Sequence, residues 1–467
     1  MRCGAGWAAA ATLLVAAPAL AQENNDLNFI PEAVQQAPPA PPPEAAIDQD
    51  QRIYLENAAT LTARRSGLVP TPPPAGPDWE ERLFLDAQKD WHLLPELDFA
   101  YSGRLNLRAE DTIEVPSHED VRHDFREGYV SWKPAEGVFF DAGRINLKGG
   151  VAAGFNPTDF FKTRAVVEPL SQDPATLRED RLGTAMVEAQ KIFPDGALTA
   201  AFAPKLDDPR PIYTNTDLPV VRPMFDRTNG QDRLLLKGNW NIGEDLSPEL
   251  LYYREGGSSR VGANLTKPIG QTTVTYLEWA GGRQTSLIDS ALSFGREVGT
   301  IPETAPNALP VSGGSFFGNQ VAVGASYTGE SKITWNFEYH YNEMGFSPQD
   351  WRNWFAAGAA NAGRAAVTNE LWYIRGYALD QQEPVDRHSV FVRFDWVDAF
   401  VTDLEITGFA DTDLRDGSTQ LQLTADYYLT REWTVGGIAG ANVGTKRSYF
   451  GTQPQAATLL AKVARYF

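Results

Sequence analysis

The chain has 467 residues, with 60 acidic against 41 basic side chains and one cysteine, for a formal net charge of -19. Its 42% hydrophobic and 11% aromatic content is too apolar for a disordered chain, and the acidic surplus argues against a nucleic-acid partner, since nothing is left over to neutralise phosphates. A mean hydropathy of -0.34 without a long apolar run beyond the N-terminus excludes a helical membrane protein, but not a transmembrane β-barrel, whose alternating strands average to a polar value.

Arg2, the short apolar stretch 7–20 and the triplet Ala19-Leu20-Ala21 have the layout of an export signal over residues 1–21. Cys3 precedes the apolar stretch, so the mature chain is expected to carry no cysteine and no disulfide. Residues 22–81 read as a Pro-rich periplasmic arm. Prolines crowd 38–43 and 70–77, and the segment 48–65 between them has acids early and Arg64-Arg65 late, which suits a short helix. The arm is expected to be a tether, with docking to a periplasmic partner or plugging of the barrel as sharper alternatives.

Residues 82–467 read as the barrel. In 96–108, Leu97, Phe99, Tyr101, Leu105 and Leu107 share one face, and in 332–342 Ile333, Trp335, Phe337, Tyr339 and Tyr341 oppose Thr334, Asn336, Glu338, His340 and Asn342. Comparable segments are expected at 96–108, 123–133, 137–147, 181–193, 196–204, 230–240, 246–254, 257–266, 271–280, 318–328, 332–342, 387–397, 402–410, 418–429, 432–442 and 457–467. Connections after even-numbered segments are tight turns, whereas the longest of the others fall near 148–180, 281–317 and 343–386. A soluble sandwich has no reason to sort its loops by parity. An all-β, antiparallel outer-membrane barrel of about sixteen strands, within a range of about 14–18, does so when both termini are periplasmic. Residues 82–91 look strand-like, but one added strand would put the arm outside, so they are read as leading into the barrel or folding inward.

The chain closes on Ala464-Arg465-Tyr466-Phe467, and terminal Phe467 resembles the signal read by the barrel assembly machinery of bacterial outer membranes. Arg465 stands where an outward apolar residue is usual, and is expected to snorkel at the rim. Trp240, Tyr252, Tyr253, Trp279, Trp335, Trp396, Tyr427, Tyr428 and Trp433 are candidates for aromatic girdles.

Residues 129–161 (YVSWKPAEGVFFDAGRINLKGGVAAGFNPTDFF), followed by LREDRLGTAMVEAQKIF, resemble an uncharacterised family of porin-like outer-membrane barrels of Gram-negative bacteria, itself loosely similar to the alginate-export-like and porin superfamily. Its marks here are Gly143, Arg144 and Asn146 on a strand, then Asn156, Pro157 and Asp159 in the following loop. The resemblance implies an outer-membrane barrel and names no substrate.

The polar phase of the strands supplies Arg104, Arg108, Arg144, Arg233, Lys237, Arg260, Arg393 and Lys462, with Asn146 beside them, against Glu96, Asp98, Glu188, Glu338, Asp395, Glu405 and Asp426. Such a wall either hydrates a lumen through paired charges or guides an anionic or sugar-like solute. The long loop after Arg144 is expected to constrict the pore. Asn156-Pro157 would turn it, Asp159 would cap a short helix starting near Phe160, and Lys162 and Arg164 would set its charge, with Arg178 and Arg181 further along. Residues 350–364 suit a helix in the mouth, with Trp351, Trp354 and Phe355 packing on the wall or gripping a ligand.

Acids between Glu110 and Asp124 suit lipopolysaccharide bridged by divalent cations, which with outer-membrane lipid completes the expected partners. His118 and His123 near Asp120 and Asp124 have no specific metal spacing, and no nucleophile elbow, zinc-protease or phosphate-loop motif occurs. No cofactor, metal or catalytic activity is therefore expected. The reading is a porin-like channel for small polar, anionic or sugar-like solutes. A polymer-export conduit working with a periplasmic partner, or a plugged surface-binding barrel, are the alternatives.

Overall fold

Alternating side chains produce one continuous antiparallel sheet. The computed structural model describes residues 51–72, 76–110, 121–167, 169–211, 223–242 and 246–467; the export signal, most of the Pro-rich arm, His118 and the acids at 111–120 lie outside them. The strands are β1 (Gln51–Arg64), β2 (Trp79–Leu94), β3 (Leu97–Glu110), β4 (Val121–Ala135), β5 (Val138–Ile145) and β6 (Thr184–Phe193). They continue as β7 (Gly196–Ala203), β8 (Arg233–Trp240), β9 (Ser247–Glu255), β10 (Ser258–Ile269), β11 (Thr273–Gln284) and β12 (Phe316–Thr328). The last six are β13 (Ile333–Asn342), β14 (His388–Trp396), β15 (Leu404–Asp413), β16 (Thr419–Tyr428), β17 (Trp433–Val443) and β18 (Gln455–Tyr466). Each pairs with its chain neighbours, and β1 closes the circle on β18 with Tyr54 opposite Tyr466 and Leu61 opposite Leu459. Closure leaves no free edge, as a sheet standing in hydrocarbon requires.

Every expected segment is a strand, but the barrel has 18 strands rather than about sixteen. The two additions come from the N-terminal region. Residues 51–64 form β1, not an arm helix, and 79–94 form β2. The stretch from Asn57 to Ala63 is small and polar and has no strong apolar period of its own. Ladders to β18 and β2 on either side decide its conformation, with Leu55 and Leu61 outward and Glu56 and Ala58 inward. Two strands arriving together preserve parity, so both barrel ends stay on one side. The prolines at 70–77 therefore belong to the connection between β1 and β2 instead of the arm.

Outward positions such as Leu85, Phe140, Leu198, Leu236, Leu250, Phe337, Leu423 and Leu459 are exposed around the barrel. Keeping such a belt in water would cost about 25 cal/mol per Å², so this surface suits hydrocarbon. No described helix is long and apolar enough to cross a membrane. Trp240, Tyr252, Tyr427 and Trp433 are exposed on the outside as girdle residues should be. Tyr253 and Tyr428 are not: Tyr253 is buried inside against Phe160, and the Tyr428 hydroxyl donates to Glu405. Arg465 lies at the rim with its guanidinium over the rings of Trp433 and Phe467.

The long connections build a small helical cap. After the short α1 (Pro174–Asp180) and α2 (Phe225–Thr228) of earlier connections, it contains α3 (Leu287–Glu297) between β11 and β12, and α4 (Pro348–Ala360) and α5 (Ala365–Asp380) between β13 and β14. Ser347 and Asp350 form a reciprocal capping box at the start of α4, and Pro348 takes the first turn, where its missing N–H costs nothing. Trp351 and Trp354 are completely buried with Leu292, Leu371, Ile374 and Phe450. Their ring N–H groups donate to Asp386 (2.5 Å) and to the Leu371 carbonyl (3.1 Å). They are thus packing residues, not a ligand grip. Arg375 of α5 is caged by Trp351, Trp354, Trp372 and Tyr449 and donates to Thr452 (2.7 Å), tying α5 to the connection between β17 and β18.

Asp386 makes this cap pH-sensitive. Burial, then the neighbouring Asp413, push its carboxyl up to about 8, against the pull of Arg415 at 3.5 Å. A carboxyl whose folded pKa is raised keeps its proton in the folded cap while the unfolded chain loses it from about pH 4 upward. The Asp386 contribution to cap stability should therefore be fully present below about pH 4 and be lost progressively as pH rises to about 8. Tryptophan fluorescence and quenching between those values test this, and Asp386→Asn should flatten the dependence.

Candidate functional site

Residues 146–183, between β5 and β6, do not stay outside but cross the barrel interior. Two wall carboxylates hold the first part of this loop. Glu278 of β11 accepts from the backbone N–H groups of Val151 (2.8 Å), Ala152 (3.1 Å) and Thr158 (2.6 Å), and from the Thr158 hydroxyl. Glu338 of β13 accepts from the N–H groups of Ala153 and Gly154 and from the Tyr276 hydroxyl. Gly150 is required here, because at φ +84° a Cβ would lie 2.6 Å from a Glu278 oxygen.

Further contacts spread around the wall. Thr158 bonds Asn264 of β10, Arg233 of β8 donates to Thr163, and Gln422 of β16 donates to Ser171. Arg393 of β14 grips Asp173 through Nε and Nη2, and Arg104 and Arg126 of β3 and β4 reach Asp180. Leu170 packs on Ala58, Ile438 and Leu460 of β1, β17 and β18. The loop therefore spans the lumen from side to side.

The Asn-Pro turn forms, with Asp159 N–H bonded to the Asn156 carbonyl and Asn156 Nδ2 donating to the Ala152 carbonyl. Asp159 does not cap a helix. It is buried and takes two bonds from Arg181, at 2.7 and 3.2 Å, which fasten the two ends of the loop together. The helix of this loop comes later, as α1 (Pro174–Asp180), and Asp173 is its cap, accepting from Ala175 N–H. Lys162 is buried, donates to the Asn156 carbonyl (2.7 Å), sits over the Phe155 ring and reaches Glu383 at 3.3 Å. Arg164 pairs with Asp380 of α5 at 3.2 Å and donates to the carbonyls of Asp226 and Arg210. These bases lock the loop to the cap; none of them presents a free charge.

The expected lumen cations are mostly committed too. Arg104 pairs with Asp86 and Asp180, Arg108 with Glu110, Arg233 with Glu255, Lys237 with Glu249, Arg260 with Glu255, and Lys462 with Asp426. Arg260 also lies over the rings of Phe160 and Tyr253. Asn146 holds Arg181 (2.5 Å) and donates to the Arg178 carbonyl. Arg144 departs from the set. Opposite Gly128 and Ala185, it shares the outward phase of Phe140 and Ala142, and it is buried against Phe225 and the carbonyls of Pro223 and Gly183. A charge within an alternating strand implied a wet inner face; here Pro223 and Phe225 of the connection between β7 and β8 cover it. Gly143 beside it has φ +143°, and a Cβ there would meet Gly128 O at 2.3 Å.

Sequence reasoning missed Asp86, Arg126 and Glu278, all buried on the inner wall. Their polar character at inward positions was the available signal. Ser389, His340 and Glu338 stand in line, with 3.3 Å from the hydroxyl to Nδ1 and 2.6 Å from Nε2 to the carboxylate. These are the residue types of an acyl-transfer triad. All three are buried, however, and Glu338 is already occupied in holding the loop.

A closed antiparallel barrel with an apolar outer belt and a loop drawn across its interior is a porin-type transmembrane barrel. Among solved structures, OccK11 (OpdR) of Pseudomonas aeruginosa is similar over 90% of this chain and 95% of its own, at 10% identity and a TM-score of 0.50. A triple mutant of Rhodopseudomonas blastica porin is similar over 89% of this chain and 99% of its own, at 9% identity and a TM-score of 0.39. No family model matches, and no curated relative does. The porin-like fold that residues 129–193 suggested is thus the fold of the described residues between 51 and 467.

Proposed function

We propose that the protein is an outer-membrane channel of Gram-negative bacteria that passes small polar solutes, anionic or sugar-like ones among them, through a lumen narrowed by residues 146–183. The observation that carries this reading is the way Glu278, Glu338, Arg393 and Arg104 fasten that loop inside a closed barrel. A wide barrel needs an internal obstruction to select. Membrane lipid and lipopolysaccharide would face the apolar belt, and Phe467 would serve insertion by the assembly machinery. The commitment of Glu338 to the loop supports a non-catalytic role. Purified protein in planar bilayers should give discrete open-channel steps. Silence combined with tight binding of a surface ligand would overturn the channel in favour of a plugged receptor.

A further inference from the structure

The inner wall is not uniform. Along β10 to β13 the inward polar residues Asn264, Glu278, Gln320, Asn336, Glu338 and His340 are all buried under the loop and cap. Across the closure seam, many inward residues of β15 to β18 and β1 to β3 keep contact with solvent, although others such as Asp86, Gln422 and Leu460 are buried. Thr407, Thr424, Lys462, Tyr466, Tyr54 and Arg104 are partly exposed there, although their strands face the interior. On the loop side, the Glu179 and Asp180 side chains of α1 are 42% and 26% exposed.

Within this strip Arg52 differs from every other cation of the seam. It follows the inward phase of Tyr54 and Glu56, opposite Gln88 of β2, and is exposed. Arg104, Arg82, Arg108, Arg393 and Lys462 all hold carboxylates within ion-pair distance. Among the described residues no carboxylate pairs with Arg52. Its ring contact is with Tyr54 at 6.0 Å, and Asp86, Glu179 and Tyr466 are its further ionisable neighbours.

We infer that the aqueous passage runs off-axis, along the β15–β3 seam opposite α1, and that Arg52 is its specificity-determining cation for small anions. This rests on the channel reading above. A guanidinium already clasped by a carboxylate offers little to a passing ion, whereas an uncommitted one keeps its donors and its field. The carboxylates that share the strip, Asp86, Glu179 and Asp426, are held by Arg104, Lys148 and Lys462, which leaves them little field with which to oppose it.

The chain beyond the export signal has no cysteine, so introduced thiols report cleanly. Thr424→Cys and Thr407→Cys should react with a water-soluble sulfonated thiosulfonate and lose current, while Ala322→Cys and Asn336→Cys on the sealed side should stay unmodified. Equal labelling on both sides, or labelling of the sealed side alone, overturns the off-axis passage. In a potassium chloride gradient, Arg52→Gln should lower the chloride-to-potassium permeability ratio at least twofold, while Lys332→Gln on the rim leaves it unchanged. An unchanged ratio in Arg52→Gln overturns its role. If the wild type carries no current, the channel reading fails, yet the labelling pattern still decides where water enters.

Discussion

Replacing Glu278 and Glu338 together by alanine is expected to raise single-channel conductance several-fold and to add current noise. These carboxylates accept from the amides of Val151 to Gly154 and of Thr158, and hydrogen bonds to charged groups contribute about 1.5–3 kcal/mol each. Removing both leaves that backbone with unsatisfied donors inside the barrel, a state relieved most simply by the loop moving toward water. The barrel itself should persist, because its ladders do not pass through either side chain. Glu278→Gln tests the point more gently: an amide keeps an acceptor oxygen but loses the charge, so a smaller rise is expected. Planar-bilayer recordings on folded protein give the answer. Wild-type conductance and noise in the double variant would mean that the loop is held by its far end alone.

The strands from Leu97 onward were legible because lipid and interior make opposite demands on successive residues, so each strand carries its own alternation. Gln51–Arg64 was not. Its small side chains satisfy either environment without advertising it, and only pairing with β2 and β18 makes it a strand. The candidate site divides the same way. That a long loop follows Arg144 could be read from spacing, as could the Asn156-Pro157 turn. The partners of its charges could not, since Asp159 meets Arg181, Arg164 meets Asp380 and Asp173 meets Arg393 across long separations in sequence. A sequence displays the bases; the fold decides which remain free. Arg52 escaped notice for the same reason, lying on the segment read as part of the arm.

The Arg181–Asp159 pair should give the largest loss of stability from a single substitution. Arg181 is 1% and Asp159 2% exposed, and the guanidinium also donates to Asn146 and the Leu147 carbonyl. Arg181→Met keeps most of the volume but strands a buried carboxylate and two acceptors, and breaking one side of a buried pair costs about 3–5 kcal/mol. The opening is local to the loop, so the protease-accessible fraction should rise by a hundredfold or more, on the order of what that energy implies when reclosing is faster than cleavage. Arg181→Met with Asp159→Asn removes the stranded charge and should recover much of the loss, because a neutral pair of similar size is tolerated where a lone ion is not. Trypsin cleavage between residues 146 and 183, followed by mass spectrometry, measures it. If the single and double variants are cleaved equally fast, the damage lies in the lost bonds to Asn146 and Leu147, and the ion pair is not what joins the two ends of the loop.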